Sequence, residues 1–212
     1  MRHSLIASGL VAVARAHSAY DFIIVGGGTA GVVVSTRLSQ TLPDCSVLVI
    51  EAGPDERDLA AISIPGLEGV LGTKYDWNFT TTPQPGANNL TITMNQGKLL
   101  GGSSALNLLS YDRATNTAVN GSAGLVGMGV GEAGPIHFLV NHFSPAQQEA
   151  FFPTMQNLGW EQTYSFLDGD MLGWMRHTSN ILDVNYTRSY SPAFLSIAPS
   201  NLEIMVNTTV AN

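Results

Sequence analysis

The first clear pattern along the chain is a mostly apolar run, residues 20–25, that leads into three consecutive glycines. Such a short run predicts a buried strand of a parallel sheet. A helix-like apolar stretch follows over Val32–Leu38, and a second apolar run over 46–50 predicts another strand. The order strand, glycine turn, helix, strand is that of a βαβ unit.

The glycine turn and the end of the second strand carry candidate chemistry. Gly26, Gly28 and Gly31 have the spacing Gly-x-Gly-x-x-Gly, and Glu51 follows the second strand. This arrangement is typical of a dinucleotide site. The first glycine permits a sharp turn, the second lets the backbone approach a pyrophosphate, and the third lets the helix pack closely on the strand. Amide groups at the helix start would hold the phosphates, and Glu51 would bind an adenosine ribose.

A glycine pattern alone is weak evidence, since a chain with 22 glycines can match it by chance in a loop. Here strand, turn, helix, second strand and acidic residue all occur in the expected order. We therefore favour a dinucleotide site over a chance match.

A second glycine-rich segment, residues 97–107 (GKLLGGSSALN), identifies a family. It resembles the first signature of the glucose-methanol-choline (GMC) oxidoreductases, which are FAD-dependent alcohol oxidases and dehydrogenases. Segments 47–54 and 75–79 agree with it, and the whole is most similar to the secreted fungal branch of aryl-alcohol oxidases and pyranose dehydrogenases. The resemblance is close over 20–114 and looser over 134–212, where segments 134–136 and 185–195 carry it.

The resemblance implies an α/β fold: a Rossmann-like FAD-binding domain with a parallel sheet, plus an incomplete substrate-domain segment. It also implies FAD as a non-covalent cofactor, because Leu106 stands where some pyranose dehydrogenases carry a histidine that tethers the flavin. Asn107 would lie close to the flavin ring. The predicted cofactor-binding residues are Gly26, Gly28, Thr29, Ala30, Gly31, Glu51, Lys98, Gly101, Gly102, Ser103, Ser104, Asn107 and Val210.

Four segments make up the predicted domain organisation. Residues 1–16 are a signal peptide, 20–114 the FAD-binding domain, and 115–134 a Gly-rich loop whose composition cannot bury much surface. Residues 135–212 are the remainder of the GMC amino-terminal region, with a partial substrate segment and the third strand of the FAD domain. That strand lies in 202–210, and in the family its end touches the adenine.

One helix in this remainder is predicted from local signals. Ser144, Pro145 and Gln147 form a helix start, and Gly159 is expected to end the helix near Leu158. Its predicted core face consists of Phe151, Phe152, Met155 and Leu158.

No residue is assigned as catalytic, because relatives carry their catalytic histidine in a carboxy-terminal part that this sequence does not match. The five histidines are scattered, so a metal site is not expected. Cys45 is the single cysteine, which excludes an intrachain disulfide. The net charge of −7 argues against a nucleic-acid partner.

The predicted function is an FAD-binding oxidoreductase that acts on CH–OH groups of donors and transfers hydride to the flavin. We expect this chain to be truncated and to lack the catalytic histidine. The partner would be a small alcohol or sugar in the full-length parent, with no membrane span. Two alternatives stay open: a non-catalytic FAD-binding fragment or isoform, and, less favoured, an NAD(P)-dependent Rossmann dehydrogenase.

Secretion is the predicted localisation. Met1–Ala16 has a positive start, a modest apolar stretch and a small-x-small end at Ala14 and Ala16. Five Asn-x-Ser/Thr sequons agree with a secreted glycoprotein: Asn78, Asn89, Asn120, Asn185 and Asn207.

We expect the secreted protein to begin near His17, because cleavage would follow Ala16. Mass spectrometry of the intact secreted chain, after enzymatic removal of glycans, measures this amino terminus. A cytosolic protein that retains residues 1–16 would contradict the prediction.

Overall fold

The computed structural model describes residues 19–67, 69–110, 119–121, 134–140, 145–163 and 172–211. The predicted signal peptide and most of the predicted Gly-rich loop lie outside these residues. The elements, in chain order, are β1 (Phe22–Val25), α1 (Thr29–Thr41), β2 (Val47–Ile50), α2 (Ala60–Ser63), β3 (Phe79–Thr80), β4 (Thr93–Met94), β5 (Val119–Gly121), β6 (Ile136–Val140), α3 (Ala146–Asn157), β7 (Thr178–Ser179), β8 (Ile181–Leu182), β9 (Thr187–Arg188) and β10 (Leu202–Met205). Short 3-10 helices cover Pro85–Ala87, Gly102–Ala105 and Ser191–Ile197.

Strands β1, β2 and β10 form a parallel sheet in the order β1-β2-β10. Val47 of β2 pairs with Phe22 of β1 on one side and with Leu202 of β10 on the other. The predicted α/β fold with a parallel sheet is therefore confirmed. β10 begins 152 positions after the end of β2 yet pairs directly with it, which brings the carboxyl ends of the three strands together at one edge.

The predicted burial of β1 is wrong for most of its side chains. Ile23 is 56% exposed and Val25 is 65% exposed, and Phe22 is also exposed. The reason is the position of the strand: β1 lies at the end of the three-stranded sheet, whereas β2 lies at the centre and is buried. The apolar run correctly predicted a strand, but burial depends on what covers the strand.

Helix α1 packs on the sheet through a stripe of small residues. Val32, Ser35, Thr36 and Ser39 are its buried positions, and they recur at the spacing of one helix face. The Ser35 and Ser39 hydroxyls donate to carbonyls three residues earlier in the helix. Small side chains let the helix approach the sheet closely.

Asn201, just before β10, fastens the far end of this unit. Its side-chain amide donates to the carbonyls of Ser39, Leu42 and Cys45. It thereby connects the end of α1, the turn into β2 and the start of β10.

The two segments on either side of the predicted Gly-rich loop share one core. Val32 and Leu100 from the first segment pack with Ile136, Phe138 and Phe194 from the second. A second sheet, of order β5-β6-β7, and the two-stranded ribbons β3-β4 and β8-β9 complete the described structure. The division at 114 and 135 stays a prediction.

Helix α3 forms where it was predicted but does not bury its apolar face. It begins after Pro145 and is followed by Gly159, whose φ of +82° suits glycine. Phe151 is 50% exposed and Leu158 is 68% exposed, so the predicted core face is wrong at these positions. Phe152 stacks on Trp174 with ring centroids 5.1 Å apart. Within the described residues, no helix has the length and apolar character needed to cross a membrane.

Candidate cofactor-binding site

The three glycines of the turn between β1 and α1 differ in their surroundings. Gly26 has a φ of +95°, which the turn requires. A β-carbon at Gly31 would lie 1.9 Å from the Gly26 carbonyl oxygen, so only glycine fits there. A β-carbon at Gly28 would meet only the Gly102 Cα, at 3.9 Å, and the Gly28 backbone is extended. The protein itself therefore leaves the space at Gly28 open.

The amide groups at the start of α1 face the same region. The first helical hydrogen bond of the helix runs from the Val32 amide to the Gly28 carbonyl. The amides of residues 29–31 come before it and have no carbonyl within the helix to bind. Together with the helix dipole they favour an anion at this end.

The second glycine-rich segment lies directly against this turn. The Gly101 amide donates to the Gly27 carbonyl at 2.7 Å. Gly102 has a φ of +53°, and a β-carbon there would lie 2.7 Å from the Gly28 Cα. Side chains at these positions would separate the two segments. Two glycine loops whose paired glycines are 74 positions apart in the chain thus meet along their backbones.

Glu51 holds the two turns that flank the strand ends. Its side chain is buried, and its carboxylate oxygens accept from the amides of Gly27 at 2.7 Å and Gly53 at 2.8 Å. A carboxylate has about four acceptor positions. The two acceptor positions that remain are enough for the predicted hydrogen bonds from a ribose. The carboxylate can therefore hold the two turns and still accept further hydrogen bonds.

These loops enclose a cavity of about 470 Å³, within the size range of small-molecule sites. Seven predicted site residues line it: Gly26, Gly28, Thr29, Glu51, Gly102, Ser103 and Val210. Eight other residues line it as well: Val25, Ile50, Ala52, Trp77, Gln96, Gly97, Thr208 and Thr209. The ends of β1, β2 and β10 therefore share one cavity with the second glycine loop.

Six predicted site residues do not line the cavity, and the structure gives most of them supporting contacts. Ala30 and Gly31 lie in the first turn of α1. The Ser104 hydroxyl donates to the Gly101 carbonyl at 2.7 Å and lies 2.9 Å from the Ser191 hydroxyl. These contacts fix the shape of the second glycine loop.

Asn107 and Lys98 are also engaged within the protein. The Asn107 side chain accepts from the Arg188 guanidinium at 2.6 Å and donates to the Ser110 carbonyl at 2.8 Å. The Lys98 ammonium lies 4.7 Å from the centroid of the Trp77 ring. The structure therefore gives both side chains contacts within the protein, and neither residue lines the cavity.

Leu106 lies in the core and not at the cavity. It is buried together with Leu99 and Ala105 beneath the second loop. The position at which the resemblance would place a tethering histidine thus holds an apolar packing residue here.

Sequence reasoning missed Trp77, Gln96 and the two threonines after β10. Trp77 lies in the segment 75–79 that supported the resemblance, but its place at the cavity depends on how the β3-β4 ribbon folds back. Thr208 reaches the cavity because its amide donates to the Glu51 carbonyl at 2.9 Å. No local pattern signals that contact.

A buried carboxylate, Asp76, positions the wall that contains Trp77 and Gln96. Asp76 accepts from the amides of Gly72, Asn78 and Gln96 and from the side chain of Asn95, at 2.5 to 3.0 Å. Burial alone raises the pKa of this carboxyl, but the hydrogen bonds outweigh burial and lower the pKa from 3.8 to about 2. Asp76 is therefore ionised and connects two segments that flank the cavity.

The described histidines lie away from the cavity. His137 lies in β6 and its backbone amide donates to the Ser189 hydroxyl; partial burial lowers the pKa of the His137 imidazole. His177 lies 3.2 Å from the Ser110 hydroxyl. His142 lies outside the described residues. Across the described ranges, no group of three His, Cys, Asp or Glu side chains has the arrangement of a metal site.

The fold and the site together define a nucleotide-binding α/β protein of the Rossmann type. Residues 20–123 match the family model described as "GMC oxidoreductase", so this portion of the chain belongs to the GMC oxidoreductase family. The resemblance drawn from the sequence is thereby confirmed over its amino-terminal portion.

Relatives and solved structures agree with this assignment. Pyranose dehydrogenase 3 from Leucoagaricus meleagris is 44% identical over 109 residues, which cover 51% of this chain and 18% of the relative. The structure of pyridoxine 4-oxidase from Mesorbium loti is similar with a TM-score of 0.77 and 27% identity, covering 89% of this chain and 42% of that chain. A formate oxidase from Aspergillus oryzae RIB40, in a structure that concerns FAD modification, gives a TM-score of 0.75 and 25% identity over 89% of this chain and 38% of that one. The matched region thus spans less than one fifth of the curated relative.

We expect Asp76→Asn to lower the free energy of unfolding by about 2–4 kcal/mol, because the new amide group would face backbone donors that now bind a carboxylate. The folded pKa lies below the unfolded value of 3.8, so this stabilisation is complete above about pH 4 and is lost as the pH falls toward 2. Denaturant unfolding of both proteins between pH 2 and 7 measures the difference.

The matched control is Asp55→Asn, since Asp55 forms an exposed ion pair with Arg57. Its expected cost is below about 1 kcal/mol. Equal unfolding energies for Asp76→Asn and the wild type at pH 7 would contradict the role assigned to Asp76.

Proposed function

We propose that this chain binds FAD without a covalent bond and forms the cofactor-binding portion of a GMC-type oxidoreductase that acts on alcohols or sugars. The convergence of the two glycine loops at Gly28 and Gly102 is the observation that carries the proposal. A dinucleotide needs a place where backbone amides can surround its pyrophosphate closely. Gly28 supplies that place, because the space where its side chain would be is not occupied by other atoms of the protein.

Each part of the cavity has a proposed task. The first turn of α1 and Gly28 hold the pyrophosphate, and Glu51 accepts hydrogen bonds from the ribose hydroxyls of the adenosine. Val210, at the end of the segment that follows β10, contacts the adenine. Ser103 and Gly102 bring the second loop against the other half of the cofactor, with Asn107 held in place by Arg188.

The proposed reaction removes a hydride from a carbon that carries a hydroxyl group. FAD, when bound, supplies the hydride acceptor, and the protein binds and orients it. A general base that takes the hydroxyl proton is the other requirement. Among the described residues that line the cavity, Glu51 is the only titratable side chain, and two backbone amides already bind it.

Two alternatives differ from this proposal, the first in whether the chain turns over a substrate and the second in which cofactor the chain binds. A non-catalytic fragment or isoform would hold FAD and give no turnover, and an NAD(P)-dependent dehydrogenase would bind a nicotinamide cofactor. The second glycine loop favours FAD over the latter, because a nicotinamide enzyme has no evident use for it. A yellow chain whose absorbance follows added FAD, with no affinity for NAD(P)H, separates FAD binding from the nicotinamide alternative.

We further propose that the protein is secreted and carries glycans. Four of the five sequon asparagines are exposed: Asn78, Asn89, Asn185 and Asn207. Asn185 lies in the turn between β8 and β9, next to Val184, which is 85% exposed.

We expect Gly28→Ala to weaken FAD binding by at least about tenfold, because its methyl group would occupy the space proposed for the pyrophosphate. The fold should tolerate the change, since the backbone at Gly28 is extended and the new atom would meet nothing closer than 3.9 Å. Glu51→Gln should cost about 1–3 kcal/mol of binding free energy through lost hydrogen bonds to a charged group. Equilibrium titration of the full chain with FAD measures both, and thermal unfolding reports the stability of each variant.

The matched control is Gly86→Ala, because a β-carbon at Gly86 would meet no atom within 4 Å and the residue lies away from the cavity. Unchanged FAD affinity in both Gly28→Ala and Glu51→Gln would overturn the assigned site.

We expect this chain, supplied with excess FAD, to reduce the flavin with alcohols far more slowly than a full-length pyranose dehydrogenase. General-base catalysis alone contributes roughly 10²–10⁴-fold, and the described cavity offers no free base. Anaerobic flavin reduction by aryl, aliphatic and sugar alcohols measures this rate. Reduction at a rate near that of the full-length enzyme would show that a catalytic base lies in this chain.

A further inference from the structure

We propose that Arg188 is a positioning residue of the cofactor site. It does not line the cavity, and it acts through Ser104 and Asn107 to keep the second glycine loop against the first. This inference rests on the proposed function and adds to it a residue that neither the glycine fingerprint nor the second signature includes.

Arg188 connects three parts of the chain through one buried guanidinium. The residue belongs to β9 and is 7% exposed. Its Nε donates to the Ile62 carbonyl in α2 at 2.8 Å. Its Nη1 donates to the Ser104 carbonyl at 3.3 Å and to the Asn107 side-chain oxygen at 2.6 Å. A buried charge is costly unless hydrogen bonds satisfy it, so the guanidinium and these acceptors hold one another in place.

The turn that follows the second loop needs this support, because its backbone is strained. Leu108 and Leu109 have φ values of +51° and +64°, a region that residues with a β-carbon disfavour. Strained backbone persists only where the surrounding structure holds it. The Asn107 side chain holds this turn: its oxygen accepts from the Leu109 amide at 3.2 Å and its nitrogen donates to the Ser110 carbonyl at 2.8 Å. Arg188 donates to the same Asn107 oxygen and thereby orients the side chain.

Ser104 connects Arg188 to the cavity. It belongs to the short 3-10 helix Gly102–Ala105, of which Gly102 and Ser103 line the cavity. A β-carbon at Gly102 would lie 2.7 Å from the Gly28 Cα, so the two glycine loops are in close contact there. A shift of the 3-10 helix would change this contact, on which the proposed binding of the pyrophosphate depends. Arg188 therefore controls the distance between the two loops.

The parallel sheet has its own hydrogen bonds and does not need Arg188. Glu51 binds the turns after β1 and β2, and Asn201 binds the end of α1 and the turn into β2. None of these hydrogen bonds involves Arg188. Loss of its guanidinium should therefore displace the second loop and leave β1, β2 and β10 in place.

The arrangement also requires arginine rather than lysine. Two separate guanidinium nitrogens reach acceptors on α2, on the 3-10 helix and on Asn107. A guanidinium presents its donors in a rigid planar fork, whereas an ammonium is a compact point charge on a flexible stem. A lysine would keep the positive charge and lose the fork, which separates an effect of position from an effect of charge.

Equilibrium titration with FAD compares the full wild-type chain with Arg188→Lys and Arg176→Lys. We expect Arg188→Lys to weaken FAD binding by about tenfold, while its far-ultraviolet circular dichroism stays that of wild type. Arg176→Lys is the matched control, because Arg176 pairs with Glu149 and does not line the cavity. Its FAD affinity should stay within about twofold of wild type. Wild-type affinity in Arg188→Lys, or equal losses in both variants, would overturn the inference.

Hydrogen exchange of the chain without FAD locates the change and does not depend on cofactor binding. We expect faster exchange in Arg188→Lys over residues 101–110, and unchanged exchange over 22–25 and 47–50. Faster exchange over all three ranges would show a general loss of stability and would contradict a positioning role. Unchanged exchange over 101–110 would contradict it as well.

A second variant tests the connection through Asn107. We expect Asn107→Ala to weaken FAD binding about as much as Arg188→Lys does. The double variant should bind no more than about threefold more weakly than either single variant, because both changes act on one turn. Losses that multiply in the double variant would show that the two residues act independently, and the inference would be wrong. A wild-type chain that binds no FAD overturns the proposed function instead, and the exchange measurement then decides whether Arg188 holds the loop.

Discussion

The buried carboxylate of Glu51 is the interaction on which the cofactor-binding half of the structure depends. Its two carboxylate oxygens accept from the amides of Gly27 and Gly53. Its backbone amide donates to the carbonyl of Met205, the last residue of β10, and its carbonyl accepts from the amide of Thr208. One residue therefore joins the turn after β1, the turn after β2 and the end of β10. A buried charge is costly unless hydrogen bonds satisfy it. Moving either loop away would leave this carboxylate without a hydrogen bond, so the charge keeps both loops in place. The cavity exists because these three strand ends are kept at fixed positions.

Asp76 has the same relation to the part of the cavity that contains Trp77 and Gln96. It too is a buried carboxylate that backbone amides satisfy, and it too lies beside residues that line the cavity. The glycine loops meet at Gly28 and Gly102, where no side chain intervenes. The site thus combines two buried carboxylates that hold its loops with a surface made of backbone. Such preorganisation reduces the entropy that a bound ligand would otherwise have to offset.

Particular elements show how far the sequence could predict this arrangement. The strands at 22–25 and 47–50 and the helix between them follow from apolar patterning and glycine spacing, which are local properties. The exposure of Ile23 and Val25 does not, because it depends on β1 having a partner on one side alone. The prediction that Phe151 of α3 is buried fails for a similar reason. Amphipathic spacing predicts an apolar helix face, but not what packs against that face. The hydrogen bonds that Glu51 accepts from the Gly27 and Gly53 amides were likewise not predictable, since turn geometry decides which amides reach it.

The sequence by itself determined the class of fold, the family of residues 20–123 and the two glycine loops, because each of these is written in contiguous residues with fixed spacing. The tertiary structure alone decided that the loops meet, that Trp77 and Thr208 join the cavity, and that Lys98 and Asn107 bind within the protein. These facts depend on contacts between residues far apart in the chain. Their geometry arises when β10 pairs with β2 and the ribbon folds back, and no local pattern records those events.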